Sequence, residues 1–140
     1  MDYSQLQLEQ SLYPSYPLMQ ISCWNIQGLK KAQEIPKAKF LIQSQKPDIL
    51  FLIETMLSDV NSQKFLSMLG FAHFDYVTLV NHSGGLAVLW NNDNVHVSLL
   101  SKDSRAIHLL VYDLSLRTLS CYLVYIDPLN HVKRKYFGVN

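Results

Sequence analysis

The sequence is short of the residues that mark several protein classes: in 140 residues there are two cysteines, five glycines, five prolines and only 16% charged residues, and the net charge is +1. Each shortage excludes something. Cys23 and Cys121 lie in apolar, strand-like runs with no second Cys or His at metal-ligand spacing, which rules against a zinc site; two buried, reduced thiols are expected. A balance so close to neutral excludes a protein that holds nucleic acid by bulk electrostatics, so any phosphate contact must be local. The one dense basic cluster, Lys133-Arg134-Lys135, is expected on a solvated helix face, with a phosphate-facing patch as the alternative. No apolar run reaches the roughly 18 uncharged residues of a membrane helix, and no Lys or Arg precedes an apolar stretch at the N-terminus as in a secretory signal. A soluble intracellular protein, nuclear or cytoplasmic and not secreted, is the expectation.

What the chain does have is hydrophobic residues, 49% of the total, enough for one domain with a core. Met1 to Leu18 carry Gln, Ser, Tyr, Pro14 and Pro17 without a sustained period, and are expected to form a flexible leader (1–18) before a domain over 19–140. Gln20 to Asn25 reads as a strand closed by a turn at Gly28. A helix follows, with Pro36 in its first turn and Ala38, Leu41 and Ile42 as its apolar stripe. Lys46-Pro47-Asp48 ends it, because the residue before proline is pushed out of the α region. Ile49-Leu50-Phe51-Leu52-Ile53 is continuously apolar, the pattern of a strand buried on both faces. Ser58 is placed to cap a second helix, about Val60 to Leu69, which Gly70 stops.

Five strand-like runs follow: Phe71 to Val80, Leu86 to Trp90, Val95 to Leu100, Ile107 to Leu114 and Leu119 to Ile126. Consecutive strands this close are expected to pair as antiparallel hairpins, since a parallel crossover needs a dozen or more residues. The order β-α-β-α and then a meander predicts an α/β (α+β) class, with one mixed, mostly antiparallel sheet and helices on one face.

Glu54 follows five apolar residues at the end of the central strand, where a carboxylate can work in a cleft or merely cap the next turn. Asn25 also ends a strand, and adjacent strands would bring its amide close to the Glu54 carboxylate. That pair suits one side of a Mg²⁺ site, because Mg²⁺ takes hard oxygen ligands, keeps most of its waters and needs only one or two protein carboxylates. Such an ion would polarise a phosphodiester.

Three segments in order, Trp24-Asn25-Ile26-Gln27-Gly28-Leu29, Lys46-Pro47-Asp48 through Ile53-Glu54-Thr55, and Ser83-Gly84-Gly85-Leu86-Ala87-Val88-Leu89-Trp90, resemble the opening motifs of the endonuclease/exonuclease/phosphatase superfamily. Within it the likeness is to exonuclease III-like endonuclease domains of plant LINE-type retrotransposons. The resemblance implies Mg²⁺-dependent hydrolysis of DNA phosphodiesters, with Glu54 as metal ligand, Asn25 orienting the catalytic centre, and Tyr125 contacting the scissile phosphate. The other reading of Tyr125 is an aromatic packing a strand end. Two departures stand out: Ile126-Asp127 separate Tyr125 from Pro128, and Gln27 stands where some relatives carry an acid.

Complete members continue to Gly-Asp-Phe-Asn and Ser-Asp-His motifs that supply a further carboxylate and the histidine that activates water; neither string occurs here. The resemblance therefore implies the N-terminal half of a four-layer α/β/β/α sandwich, catalytically incomplete and followed after Tyr125 by the start of a helix. An inner sheet face without its partner would expose apolar surface at about 25 cal/mol per Å², enough to rival a net stability of about 5 to 15 kcal/mol. That predicts a protein partner, or self-association, through the exposed face. His73, His96 and His108 fall in strand-like runs and are expected to be structural, whereas His82 and His131 flank a turn and the basic cluster. Gly84 and Gly85 read as a tight turn rather than a phosphate cradle, since no strand-loop-helix context with a Lys follows.

Overall fold

The computed structural model describes residues 2–5, 19–80, 84–126 and 132–139, with side chains described over 19–80 and 84–124. The elements are β1 (Asp2–Gln5), β2 (Ile21–Asn25), α1 (Glu34–Gln45), β3 (Ile49–Ile53), α2 (Asp59–Ser67), β4 (His73–Val77), β5 (Leu86–Trp90), β6 (Val95–Lys102), β7 (Ala106–Asp113), β8 (Thr118–Ile126) and β9 (Val132–Val139). The expected α/β class is what forms. Its strands make two sheets rather than the single mixed sheet expected, one in the order β1-β2-β3-β5-β4 and one in the order β6-β7-β8-β9.

The first sheet is mixed. β2 and β3 run parallel through the α1 crossover, while β1, β5 and β4 are antiparallel to their neighbours. All five residues of β3 are buried, because it lies between β2 and β5 and has a layer on each face. Leu50 and Leu52 point to one face with Trp24, Ala87 and Leu89, where Ala38 and Leu66 of the two helices cover them. Ile49, Phe51 and Ile53 point to the other face with Ile21, Cys23, Leu86 and Val88, and are covered by Val95, Ile107, Leu109, Val111 and Val124 of the second sheet. The inner face of the first sheet is therefore covered within this chain, which corrects the expectation that it would lack a partner.

The two sheets separate at the four residues between β5 and β6. Asn91 N donates to Asp48 O (3.3 Å), Asn94 Nδ2 donates to Asp48 Oδ1 (2.9 Å), and Leu114 N donates to Asn94 O (3.0 Å). These bonds tie the connection across the bottom of the first sheet and lead the chain into a second layer, so no β5–β6 hairpin forms.

Further differences concern the ends of the chain. Asp2–Gln5, within the expected leader, pair with the open edge of β2 in the register Asp2↔Asn25, while 6–18 lie outside the described residues. Lys133, Arg134 and Lys135 lie in β9, paired with β8, instead of on a helix, since the free edge of β8 offers a ladder of backbone partners. Cys23 is buried as expected, but Cys121 is only half-buried, because it alternates onto the outer face of the second sheet. Among the described residues no helix is long and apolar enough to cross a membrane.

Candidate active site

Asn25 and Glu54 are brought together by the parallel pairing of β2 and β3. Asn25 is in register with Ile53, the residue before Glu54. The pairing continues beyond the strands: Ile26 N donates to Ile53 O (3.0 Å), Gly28 N to Glu54 O (2.8 Å) and Leu29 N to Thr55 O (3.0 Å). On its other side the segment after β3 is held by the turn before β5, with Thr55 N donating to Gly85 O (3.3 Å) and Met56 N to Gly84 O (2.9 Å). Glu54 thus sits at the centre of three adjacent chain segments at one end of the sandwich.

The backbone there is strained. Gln27, Glu54 and Met56 have φ of +49°, +56° and +55°, a region L-residues avoid because Cβ crowds the following carbonyl. Strain of this kind costs about 1 to 3 kcal/mol per residue and persists only where neighbours enforce it, most often at functional sites. Three such residues flank the paired strand ends.

Asn25 follows Ile21 and Cys23 on the face between the sheets, and its Oδ1 is buried without a hydrogen bond from any described residue. A buried acceptor left unsatisfied costs about 1 to 3 kcal/mol. Glu54 is half-buried, and Thr55 is buried against Gly85. Lys30 and Lys31 are exposed just beyond the turn at Gly28, with the alkyl chain of Lys31 lying over Gly28. They supply local positive charge that the near-neutral total conceals.

Tyr125 belongs to the second sheet, opposite Ala106 on β7 and Lys133 on β9. The Lys102 end of β6 pairs with Ile107, which pairs with Val124, and Lys102 Nζ reaches Asp75 Oδ1 (2.7 Å) and Tyr76 O (3.0 Å) on β4. β4 in turn ends at Val77, in register with Leu86 and through it with Ile53. The backbone of Tyr125 is therefore at the same end of the sandwich as Asn25 and Glu54. Its side chain lies outside the described part.

Of the histidines, His73 is exposed, stacks on Trp90 (centroids 5.5 Å apart) and has Nε2 3.0 Å from Asn92 Nδ2; His96 is exposed and His108 half-buried. None is tied to Glu54 by a bond among the described residues, and His82 and His131 lie outside them. No group of three His, Cys, Asp or Glu side chains able to hold a metal occurs among the described residues. A cleft of about 290 Å³ lies at the opposite end of the sandwich, lined by Lys46, Asp48, Phe71 and Asn91 among others. Asp48 is committed there to structure, since its Oδ2 accepts from Gln20 N and its Oδ1 from Asn94 Nδ2, each at 2.9 Å.

The sequence gives weight to Asn25 and Glu54 but not to Thr55. The only signal for Thr55 is its place between a strand-end carboxylate and a Gly-Gly turn thirty residues on, a contact that only the fold reveals.

No family model matches the sequence, and no curated protein matches it. Solved structures with a similar backbone do exist. One is a 3′ phosphatase, NExo, from Neisseria bound to product DNA hairpin: identity is 26%, 67% of this chain and 38% of that chain are covered, and the TM-score is 0.47. A second is the 3′-5′ exonuclease NExo from Neisseria meningitidis, at 24% identity, 66% and 37% coverage, and a TM-score of 0.42. A third is the AP endonuclease LMAP from Leishmania major, at 16% identity, 97% and 44% coverage, and a TM-score of 0.44. The chain thus spans less than half the length of each of these proteins.

Proposed function

We propose that the paired ends of β2 and β3 form the metal-binding half of a Mg²⁺-dependent phosphodiesterase site of the endonuclease/exonuclease/phosphatase type, with DNA as the substrate class. The observation that carries this reading is the junction itself: a carboxylate residue in a strained left-handed conformation at the strand end next to that of an amide whose buried oxygen has no donor among the described residues. One carboxylate and one amide oxygen fit a hard cation that keeps most of its waters and takes its remaining ligands from substrate phosphate. Glu54 would hold the ion. Asn25 would orient the centre through its Oδ1, and Tyr125 would donate a hydrogen bond to a phosphate oxygen. Bound Mg²⁺ would supply charge that polarises the phosphodiester and steadies the leaving oxygen. Lys30 and Lys31 are positioned for the adjoining backbone phosphates. On this reading the protein acts in the nucleus or cytoplasm.

These 140 residues are also proposed to be incomplete as a catalyst. The reading is supported by the sequence, which carries neither a Gly-Asp-Phe-Asn nor a Ser-Asp-His string to supply the group that activates water; loss of a general base alone costs about 10² to 10⁴ in rate. A second reading, a protein-binding half-domain of retroelement origin, is favoured by one feature. Leu110, Tyr112, Leu119, Cys121 and Leu123 share the outer face of the second sheet, are half-buried, and have no helix over them among the described residues.

Nicking of supercoiled plasmid by the purified chain, with and without Mg²⁺ and beside Glu54→Ala, tests both parts. Folded wild-type protein is expected to give no more nicking than Glu54→Ala. Metal-dependent nicking lost in the variant would establish the Glu54 site and overturn the proposed incompleteness.

A further inference from the structure

The turn at Gly84 and Gly85 lies against the two residues that follow Glu54. Its carbonyls accept from Met56 N and Thr55 N, at 2.9 and 3.3 Å. Both glycines have positive φ, +85° and +94°, so both make use of glycine's freedom in that region. They differ in their surroundings. A Cβ on Gly84 would meet no described residue within 4 Å, whereas one on Gly85 would run into Thr55 Oγ1 and come within 3.0 Å of Met56 N. Thr55 is 2% exposed, and its carbonyl is held by Leu29 N from the other side, so it has no room to retreat.

We propose that the Gly84-Gly85 turn is the positioning element for Glu54: its two carbonyls and the close Gly85–Thr55 contact lock residues 54 to 56 in the conformation that presents the carboxylate. Without this clamp the segment keeps only the bonds from Gly28 N and Leu29 N on its other side, and the left-handed φ of Glu54 and Met56 relaxes toward negative values. Gly85 is then required for the side chain it lacks, and Thr55 is the spacer that fills the gap. Both are positioning residues. This inference rests on the reading of Glu54 as a metal ligand, and it also makes a claim about the backbone that holds without metal.

The adjacent glycines make the test internal. Gly84→Ala and Gly85→Ala carry comparable backbone strain, but only the second pushes on Thr55 and Met56. Mn²⁺ affinity and amide hydrogen exchange are measured on the full chain. Gly85→Ala is expected to weaken Mn²⁺ binding about tenfold or more, the scale of lost support around a metal ligand. In the metal-free protein it is expected to speed exchange at Thr55 and Met56 about tenfold, with Gly84→Ala within about threefold of wild type in both measurements. If Gly85→Ala does not fold, Thr55→Ala and Thr55→Ser decide. The serine keeps the Oγ that abuts Gly85 and is expected to behave as wild type, while the alanine leaves a gap and is expected to lose affinity and protection. Wild type and Glu54→Ala binding Mn²⁺ equally would defeat the metal reading and leave exchange to decide the clamp. Unchanged exchange at residues 55 and 56 in Gly85→Ala, or Thr55→Ser and Thr55→Ala behaving alike, would overturn the positioning role.

Discussion

A buried carbonyl oxygen without a donor is an expense that a purely structural asparagine has no reason to carry. Among the described residues Asn25 Oδ1 has no donor, at the end of a strand whose preceding residues are all buried. Replacing Asn25 with the similarly shaped Leu removes the unsatisfied group and adds apolar contact. The fold should become more stable by about 1 to 3 kcal/mol in metal-free buffer. The same substitution should abolish any rise in melting temperature on adding Mg²⁺, because a ligand stabilises only by binding the folded state. Thermal melts of the two proteins with and without Mg²⁺ check both halves. A large loss of stability in metal-free Asn25→Leu would show that Asn25 holds the fold together and is not held in reserve for an ion. The strain at Glu54 and Met56 belongs to the same scale, and nothing in the residue types announces it. Neither residue favours positive φ, so the only sequence cue is the Gly-Gly pair far along the chain.

Among the elements, α2 and the edge strand β4 are joined by one side-chain network. Tyr76 Oη donates to Asp59 Oδ1 (2.7 Å) and accepts from Gln63 Nε2 (2.8 Å), and Lys102 from the second sheet bonds Asp75 and the Tyr76 carbonyl. The bond to Asp59 holds the Tyr76 hydroxyl above its ordinary value of 10.0, with burial and the Asp59 charge adding to the rise while Gln63 and Lys102 oppose it. Folded protein therefore keeps this proton to higher pH than unfolded chain. The stability it contributes is fully present below pH 10.0 and is lost as pH rises through the folded value. The stability gap between wild type and Tyr76→Phe should be constant near neutrality and close as pH climbs above that point, which denaturant titrations across the range would show. A gap independent of pH would mean the hydroxyl makes no special bond. Most elements were legible in the sequence. The five apolar residues of β3, the Pro36 turn, the Ser58 cap, whose Oγ accepts from Asn61 N at 3.4 Å, and the bounds of β5 follow from local chemistry. What was not legible is which sheet each strand joins. Period-two alternation assigns faces, not neighbours, and the Asn91–Asn94 connection resembles a hairpin turn until its bonds to Asp48 are seen. β9 was missed because a Lys-Arg-Lys cluster has no apolar alternation from which to infer a strand.

For the whole molecule, the inter-sheet core makes the two sheets one folding unit. Leu109 is fully buried in that core together with residues of both sheets. Leu109→Ala should cost about 2 to 5 kcal/mol and lower a single shared transition. Separate melting of the two sheets would contradict a common core. The family resemblance predicts an uncovered inner face; that face is covered by the second sheet, and the half-buried apolar residues outside β7 and β8 have no helix over them among the described residues. The proposed cation site at Glu54 is open to direct test. The direct measurement is a Mn²⁺ titration followed by paramagnetic broadening of backbone amide signals, in wild type and in Glu54→Ala. The amides of 25–28 and 53–56 should broaden first and at the lowest Mn²⁺, and should stay sharp in the variant. Broadening that begins instead around Asp48, Asp93 and Asn94, or that is unchanged by Glu54→Ala, would contradict the assignment of the site.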